Sequence, residues 1–381
     1  MEKLSLYTVG FDYAPGQANG IADYLYQNTH LLKDEFDIHF VDFYAKDERD
    51  YFLEMRNGVP VHHFQPASLK DFRLPAAFVK WLEGVPKNSL FDLHGVFRPL
   101  NYAVSRVLRK KQLRYMFTPH DDYSDFGMRN RRYLKLAYVW LFDKKNLDDA
   151  ALVHTISAPG RTTVARYTAP SRIRLVTNLV QDLNPIFDPS ALEKQVCFIG
   201  RFDIFQKGID WQLEAFGQFK HRDGQGVRFV MIGPSSPEEL AQVRDLCRNQ
   251  YLVEGTDVLI TGKLPESDLN QRLLQSYVYL QLSRFEGFGL SIAQALSFYK
   301  PVIITDQVPI YDKVLKYNAG FVARNAEEAS RQLSRVFSMS AAEYETMARN
   351  ARRCYEKEFH PDVIKPQLID LYKEAFSMIN D

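Results

Sequence analysis

The stretch Val278-Tyr-Leu-Gln-Leu-Ser-Arg-Phe-Glu-Gly-Phe-Gly-Leu-Ser-Ile-Ala-Gln-Ala-Leu296 joins a short apolar run to a helical pattern through a loop with two glycines. The run at Val278–Leu282 is typical of a buried strand, and a helix is expected to begin near Leu290. Further apolar runs, most of them followed by a helical or turn segment, recur at Leu4–Val9, Ile38–Phe43, Leu90–Leu93, Tyr115–Thr118, Leu152–Ser157, Val196–Ile199, Arg228–Ile232, Val258–Thr261 and Val302–Thr305. This alternation predicts an α/β fold class with parallel sheets covered by helices.

The length of 381 residues and the position of two prolines indicate two such domains. Both prolines lie in Asp182–Ser190, where helical and strand periodicities stop. We therefore predict two Rossmann-like, doubly wound domains, 1–183 and 191–360, joined by the linker 184–190 and followed by a helical segment, 361–381. Ligands of such sheets bind outside the carboxyl ends of the strands, so the two domains are expected to face each other across a cleft.

Composition and charge exclude several classes of protein. Lys and Arg total 48 against 47 Asp and Glu, a net charge of +1 that argues against a nucleic-acid partner. The three cysteines show no CxxC spacing, which excludes a disulfide framework and a cysteine zinc site. We see no secretion signal and no apolar run near the roughly 20 residues of a membrane span. These features predict a cytoplasmic protein, either soluble or peripheral to a membrane.

Two cations follow the predicted strand Val196–Ile199. Arg201 and Lys207 flank a loop that leads into a helix at about Gly208. Positive side chains beside a helix N-terminus suit a diphosphate, because the amides and the side chains both stabilise negative charge. The alternative is that both are solvated surface residues.

The loop after Val278–Leu282 carries the most specific pattern in the chain. Gly287 and Gly289 let the backbone approach a ligand, and the helix from Leu290 presents free N–H groups. Glu286 precedes them, and its carboxylate can accept hydrogen bonds from hydroxyl groups. The alternative role for Glu286 is to cap the helix.

Arg201, Lys207-Gly208 and Glu286-Gly-Phe-Gly-Leu290, followed by Pro301-Val-Ile, resemble the family-4 retaining glycosyltransferases of the GT-B fold. The resemblance implies that Arg201 and Lys207 bind the diphosphate of a nucleotide sugar, and that Glu286 contacts the transferred sugar. It implies a donor loop made of Gly287, Phe288, Gly289 and Leu290. It also places the nucleotide in the second domain and the acceptor in the first, to which the C-terminal helix returns.

The chain departs from the family pattern at two positions. Gln294 stands where the second glutamate of the family's Glu-x7-Glu motif contacts the nucleotide ribose, so we expect weaker or altered ribose binding. Asn19-Gly20, before a predicted helix Ile21–Leu32, resembles the family's glycine-rich donor loop with one glycine replaced. The alternatives are a helix-surface role for Gln294 and a plain helix start at Gly20.

Histidines and acids of the first domain are candidates for the sugar and the acceptor. His120, in Thr118-Pro-His-Asp-Asp122, matches a family histidine that contacts the donor sugar, and His94 matches a second pattern less closely. Either histidine could instead be structural. Asp121 and Asp122 are acceptor-side candidates. An acidic pair could also suggest a metal site, but the sequence contains no Asp-x-Asp motif. We therefore predict transfer without a metal or any other cofactor.

One segment concentrates positive charge. Arg98–Lys135 holds ten cations and three acids, and aromatic residues follow at Tyr133, Tyr138, Trp140 and Phe142. Basic and aromatic surface suits an anionic membrane, here its inner face, or an acidic or lipid-pyrophosphate acceptor. The alternative is a solvated helix face.

The function predicted from these features is transfer of a sugar from a nucleotide diphosphate sugar to a glycan or lipid-linked acceptor, as in cell-surface polysaccharide or glycoconjugate biosynthesis. Two other functions remain open. A nucleotide-sugar epimerase of the same fold would need no acceptor, and a non-catalytic binder would explain the departures at Asn19 and Gln294.

Overall fold

A computed structural model describes residues 3–11, 25, 28, 31–44, 48–120 and 123–378. Asn19, Gly20, Asp121, Asp122 and most of the predicted helix Ile21–Leu32 lie outside the described residues. The chain forms two compact units, residues 1–177 with 365–381, and residues 178–364. Residues 184–190 are counted with the second unit, and the predicted domain bounds stay predictions.

The first unit is built on an eight-stranded sheet. Its strands are β1 (Ser5–Phe11), β2 (Asp37–Phe43), β3 (Tyr51–Arg56), β4 (Val59–Phe64), β5 (Ser89–His94), β6 (Arg114–Thr118), β7 (Val153–Thr155) and β8 (Ile173–Leu175). Their order is β3-β4-β2-β1-β5-β6-β7-β8, and neighbours run parallel except for β3 and β4. Five of these strands match the apolar runs that the sequence analysis identified.

The β3–β4 hairpin was missed from the sequence. Its two strands pair antiparallel, and Asn57 and Gly58 form the turn with φ values of 51° and 80°. Positive φ at both central positions is the geometry that Asn-Gly favours in two-residue hairpins. Asn57-Gly58 is therefore the signal that would have identified this hairpin.

The second unit is built on a six-stranded sheet in which all paired strands run parallel. Its strands are β9 (Gln195–Ile199), β10 (Arg228–Ile232), β11 (Val258–Gly262), β12 (Val278–Gln281), β13 (Val302–Ile304) and β14 (Gly320–Val322). The order β11-β10-β9-β12-β13-β14 is that of a doubly wound nucleotide-binding sheet. The predicted strands from Val196 to Thr305 are confirmed.

Helices cover both sheets. They are α1 (Ala76–Trp81), α2 (Pro99–Lys110), α3 (Asp125–Arg129), α4 (Arg132–Tyr138), α5 (Lys144–Asp149), α6 (Ala158–Val164), α7 (Ile209–Arg222), α8 (Pro237–Asn249), α9 (Glu266–Gln275), α10 (Leu290–Ser297), α11 (Tyr311–Lys316), α12 (Ala326–Phe337), α13 (Ala341–Glu358) and α14 (Pro361–Ser377), with a π-helical segment at Val139–Asp143. Among the residues that the structure describes, no helix combines the length and the apolar character that crossing a membrane requires.

The C-terminal helix α14 packs in the first unit from Lys365 onward. The Tyr372 hydroxyl donates to Asp92 at 2.9 Å, and Arg174 forms a salt bridge with Glu374 at 2.5 Å. Phe36 stacks on Phe376 with 6.0 Å between ring centroids. The end of the chain therefore completes the core around β5 and β8.

Lys300 is a basic residue buried in the core of the second unit. Its side chain is 1 % exposed, and its Nζ donates to the carbonyl oxygen of Leu274 at 2.7 Å. Burial lowers the pKa of the amine to about 7, because the charged form has lost most of its water. Folding therefore either buries a charge or releases a proton at this position.

We expect Lys300→Met to stabilise the second unit. Between about pH 7 and about 10 the unfolded chain retains the lysine proton that the folded unit releases, so the free energy of unfolding should rise with pH over that window. Below pH 7 the cost of burial is fully present. The substitution should raise the unfolding free energy by about 2–4 kcal/mol at pH 7. It should also remove the increase of the unfolding free energy with pH. Urea unfolding at several pH values measures both effects, and the exposed Lys263→Met is the control that should retain the rise.

Candidate functional site

The two glycine-containing loops of the second unit follow neighbouring strands. The strand order reverses between β9 and β12, which pair with each other at the centre of the sheet. Residues 200–208 follow β9 and residues 282–289 follow β12. Open α/β sheets bind ligands at such a reversal, because the two loops diverge there and leave a crevice. The topology therefore brings the two predicted constellations together.

Lys207 and Glu286 form a direct ion pair. Lys207 Nζ donates to Glu286 Oε1 at 2.7 Å, and the two side chains are 13 % and 8 % exposed. The sequence suggested separate roles for them on the diphosphate and on the sugar. Since the residues are 79 positions apart, no local pattern could predict that they bind each other.

The Glu286 carboxylate is held at one oxygen by three donors. Besides Lys207, Gln281 Nε2 donates to Oε1 at 2.6 Å and Ser283 Oγ at 2.7 Å. Within the described part of the chain, Oε2 accepts no hydrogen bond. The carboxylate is thus fixed in orientation with one oxygen left to accept from a ligand hydroxyl. Among the described contacts it caps no helix, which disfavours the capping role that the sequence left open.

Gln281 links this carboxylate to the interior of the sheet. Its Oε1 accepts from the Tyr279 hydroxyl at 2.6 Å and from Ser291 Oγ at 2.9 Å, and its side chain is fully buried. Sequence analysis missed Tyr279, Gln281 and Ser283. The sequence does carry a signal for them. The three polar residues stand at alternate positions of an apolar strand, and alternate positions share one face.

Gly208 allows the loop after β9 to touch the end of β12. Its φ is +62°, and a Cβ at this position would lie 1.9 Å from the carbonyl oxygen of Leu282. No residue other than glycine fits here without displacing the backbone. The close approach places Lys207 beside Glu286.

Arg284 forms a second tie between the loops, and sequence analysis missed it. Its guanidinium makes two hydrogen bonds to Asp210, at 2.8 and 2.6 Å, and a third to the carbonyl oxygen of Phe205 at 3.0 Å. It also lies over the Trp211 ring, 4.3 Å from the centroid. Arg284 therefore neutralises the carboxylate nearest the start of α7 and fixes the loop that carries Lys207.

The remaining predicted donor-site residues of this unit have different surroundings. Arg201 is exposed and pairs with no side chain of the described residues. Helices α7 and α10 begin after Gly208 and Gly289, and neither has a side-chain cap. The amides of Ile209 and Ile292 donate to the carbonyl oxygens of Ile204 and Gly289, and the other first-turn amides stay available to an anion. Phe288 is buried against Phe359, which leaves its backbone as the candidate contact.

Gln294 does not join the Glu286 network. It lies in the second turn of α10, half-buried, and its Nε2 is 3.3 Å from Asn270 Oδ1. Its predicted contact with a ribose stays a prediction.

In the first unit, His94 and His120 lie together beside a buried acid. His94 Nδ1 is 2.9 Å from His120 Nε2, and His94 Nε2 is 3.2 Å from Asp92 Oδ2. Asp92 also accepts from Thr118 Oγ1 at 2.9 Å. Burial opposes the charge of Asp92, but His94, with help from neighbouring donors, lowers its pKa to about 2. A fixed carboxylate therefore stands behind the two histidines.

His120 is a neutral imidazole at physiological pH. Burial and the nearby His94 and His154 lower its pKa to about 3. These three histidines line one cavity with Thr8 and Tyr372. Sequence analysis missed His154, whose Nε2 is 2.8 Å from the carbonyl oxygen of Val176. Neutral His120 can exchange hydrogen bonds with hydroxyl groups.

Among the residues that the structure describes, no group of three or more His, Cys, Asp or Glu side chains is arranged to hold a metal ion. Asp121 and Asp122 are outside that part of the chain.

Residues 186–354 match the family model described as "Glycosyl transferases group 1". This segment is therefore similar to the group 1 glycosyltransferase domains. It spans β9 to β14 and contains Arg201, Lys207, Glu286 and Gln294. The two loops at the strand-order reversal, residues 200–208 and 282–289, lie within the matched segment.

Solved structures extend the likeness to the whole chain. Sucrose-phosphate synthase from Thermosynechococcus elongatus aligns at 19 % identity and a TM-score of 0.78, covering 98 % of this chain and 100 % of that one. Anabaena HepE, in complex with UDP and glucose, aligns at 16 % identity and a TM-score of 0.75, with the same coverage. At these identities the likeness establishes the fold, and the predicted GT-B class of two Rossmann-like α/β domains is confirmed.

A curated relative is an uncharacterized 41.2 kDa protein in the cps region of Klebsiella pneumoniae. It is 22 % identical over 278 residues, which cover 70 % of this chain and 73 % of the relative.

Proposed function

We propose that the protein is a retaining, metal-independent glycosyltransferase that uses a nucleotide diphosphate sugar and a glycan or lipid-linked acceptor. The observation that carries the proposal is the ion pair of Lys207 and Glu286, 2.7 Å apart at the strand-order reversal within the matched segment. A cation for the diphosphate and a carboxylate for the sugar hydroxyls stand side by side there.

The protein's contribution to the reaction is to stabilise the leaving group. When the bond between the anomeric carbon and the diphosphate oxygen breaks, negative charge accumulates on the diphosphate. Arg201, Lys207 and the first-turn amides of α10 supply positive charge there. Charge that is already in place needs no reorganisation during the reaction, and it accounts for much of the rate enhancement in many enzymes. In this proposal the acceptor hydroxyl attacks from the face that the diphosphate leaves, and the donor phosphate takes its proton.

The Glu286 carboxylate positions the sugar in this proposal. Its Oε1 is saturated by Lys207, Gln281 and Ser283, so Oε2 is the atom that accepts from a sugar hydroxyl. A carboxylate acceptor gives a stronger hydrogen bond than a neutral one. The predicted roles of His120 towards the sugar, of His94 towards the acceptor, and of Asn19, Gly20 and Gln294 towards the donor stay predictions.

The comparisons support the donor class in the proposal and suggest its biological setting. The HepE structure holds UDP and glucose, which favours a uridine nucleotide sugar as the first donor to test. The relative in the Klebsiella cps region favours a role in cell-surface polysaccharide or glycoconjugate biosynthesis.

A thermal-shift screen with UDP, GDP, ADP and their sugars tests donor binding, since a ligand of the folded state raises the melting temperature. We expect one of the three nucleotides to raise the melting temperature. The corresponding nucleotide sugar should release nucleoside diphosphate only when an acceptor is present. An epimerised sugar formed without acceptor would replace the proposal with an epimerase. Binding without release, over a panel of glycan and lipid-linked acceptors, would replace it with a binder.

A further inference from the structure

An apolar surface lies on the helical run from Arg132 to Asp149, formed by α4, the π-helical segment and α5. Its four large apolar side chains are 87 % exposed at Tyr133, 69 % at Leu134, 59 % at Trp140 and 66 % at Leu141. We call these four residues the apolar stripe. Exposed apolar residues scattered singly are common, but four on one short run are a feature of interaction surfaces.

The stripe occupies a single face of the run. Tyr133 and Leu134 lie seven positions before Trp140 and Leu141, a separation of two helical turns. The opposite face packs into the core of the first unit through Val139 and Leu147. The run is therefore apolar on two faces. One face packs in the core, and the other, the apolar stripe, is exposed.

Positive charge borders the stripe at both ends. From Arg129 to Lys145 there are six cations and one acid, the buried Asp143. Arg131 and Arg132, before the stripe, are exposed and pair with no side chain of the described residues. Lys144 and Lys145 follow it, each with a salt bridge to the acid four positions on.

Several cations of the wider basic segment Arg98–Lys135 are already paired within the protein, so fewer of them can bind a partner than the composition indicated. Arg109 pairs with Asp149 at 2.5 Å, and Arg114 donates to the carbonyl oxygen of Phe376. Lys135 donates to the carbonyl oxygen of Gly127. Four cations of this segment, Arg106, Lys110, Arg131 and Arg132, are exposed and pair with no side chain of the described residues, and the last two lie beside the stripe.

We propose that the apolar stripe docks on a bilayer surface that contains anionic phospholipids. Trp140 and Leu141 enter the boundary between headgroups and acyl chains, while Arg131 and Arg132 contact lipid phosphates. Because the opposite face of the run is held in the core, the run lies in the plane of the membrane surface. The proposal does not depend on the proposed glycosyl transfer.

A second copy of the chain is the other partner that could cover the stripe. A twofold interface would bring the same patch of both copies together. Since cations lie at both ends of the run, either antiparallel or parallel pairing would place like charges against each other. The charge pattern favours an anionic surface over a second copy.

Tryptophan fluorescence tests the docking. The chain has three tryptophans, so Trp81→Phe with Trp211→Phe leaves Trp140 as the reporter. We expect its emission to shift to the blue, and brominated lipid to quench it, on vesicles with about 30 mol % phosphatidylglycerol. Phosphatidylcholine vesicles should produce neither change. No binding of the unmodified protein to anionic vesicles overturns the proposal.

Substitutions in the full chain locate the contact. Trp140→Ser with Leu141→Ser should weaken vesicle co-sedimentation at least tenfold, and so should Arg131→Glu with Arg132→Glu. The matched control is Tyr251→Ser with Val253→Ser, a pair 83 % and 58 % exposed in the second unit, which should bind as the unmodified protein does. Equal loss in the control, or a dimer that only the stripe variant abolishes, would overturn the proposal.

Discussion

Replacing Lys207 by alanine is expected to lower kcat by about 10²–10³-fold, the range seen when one donor to a developing negative charge is removed. Lys207 Nζ is fixed 2.7 Å from Glu286 in a mostly buried position, so its charge is already oriented when the diphosphate leaves. Steady-state release of nucleoside diphosphate, with the donor and acceptor that the screen selects, measures the effect. Since the charge acts most on the leaving group, kcat should fall more than KM rises.

Lys220→Ala is the matched control for Lys207→Ala. Lys220 pairs with Asp257 at 2.9 Å with similar exposure, 17 % and 15 %, at the opposite end of α7. Its loss removes an equivalent ion pair about 20 Å from Lys207 along the helix. Activity near that of the unmodified protein is expected, and an equal loss in both variants would mean that Lys207 acts through stability.

A double substitution separates two roles of Lys207. If the lysine only neutralises Glu286, then Glu286→Gln combined with Lys207→Ala should restore the affinity for nucleoside diphosphate. If the lysine binds the diphosphate, the double variant should bind as weakly as Lys207→Ala does. Restored affinity would contradict the proposed role.

Gly208→Ala is expected to destabilise the second unit by about 2–5 kcal/mol and to abolish most activity. A left-handed φ costs a non-glycine residue about 1–2 kcal/mol, and forced overpacking adds about 1–3 kcal/mol. Here the added Cβ would lie 1.9 Å from the Leu282 carbonyl oxygen, so the backbone must move. The movement would separate Lys207 from Glu286, and urea unfolding together with the transfer assay measures both losses.

Gly226→Ala is the matched control, because it carries the cost of a left-handed φ without the steric contact. Gly226 has a similar φ of +75°, but a Cβ there would meet nothing within 4 Å. This variant should lose only about 1–2 kcal/mol and keep its activity. Equal destabilisation of the two variants would show that the contact with Leu282 contributes nothing.

Local patterns predicted much of the fold because strands and helices depend on the spacing of nearby residues. The runs Val196–Ile199 and Arg228–Ile232 became strands close to their predicted bounds, and helices began next to Gly208 and Gly289 as expected. The hairpin at Asn57-Gly58 was missed although its turn signal is local. The Asn57-Gly58 pair was sufficient to predict this hairpin, but the sequence analysis did not use it.

Local sequence patterns identified the loops that follow strands, and with them three residues that could meet a ligand, Arg201, Lys207 and Glu286. The adjacency of β9 and β12 is visible only in the folded chain, because strand order depends on how distant segments pack. That adjacency joins Lys207 to Glu286 and recruits Gln281, Ser283 and Arg284 from positions without a motif. Hydrogen bonds between residues 79 positions apart leave no trace in local periodicity, whereas glycine at 208 records the close contact that makes them form.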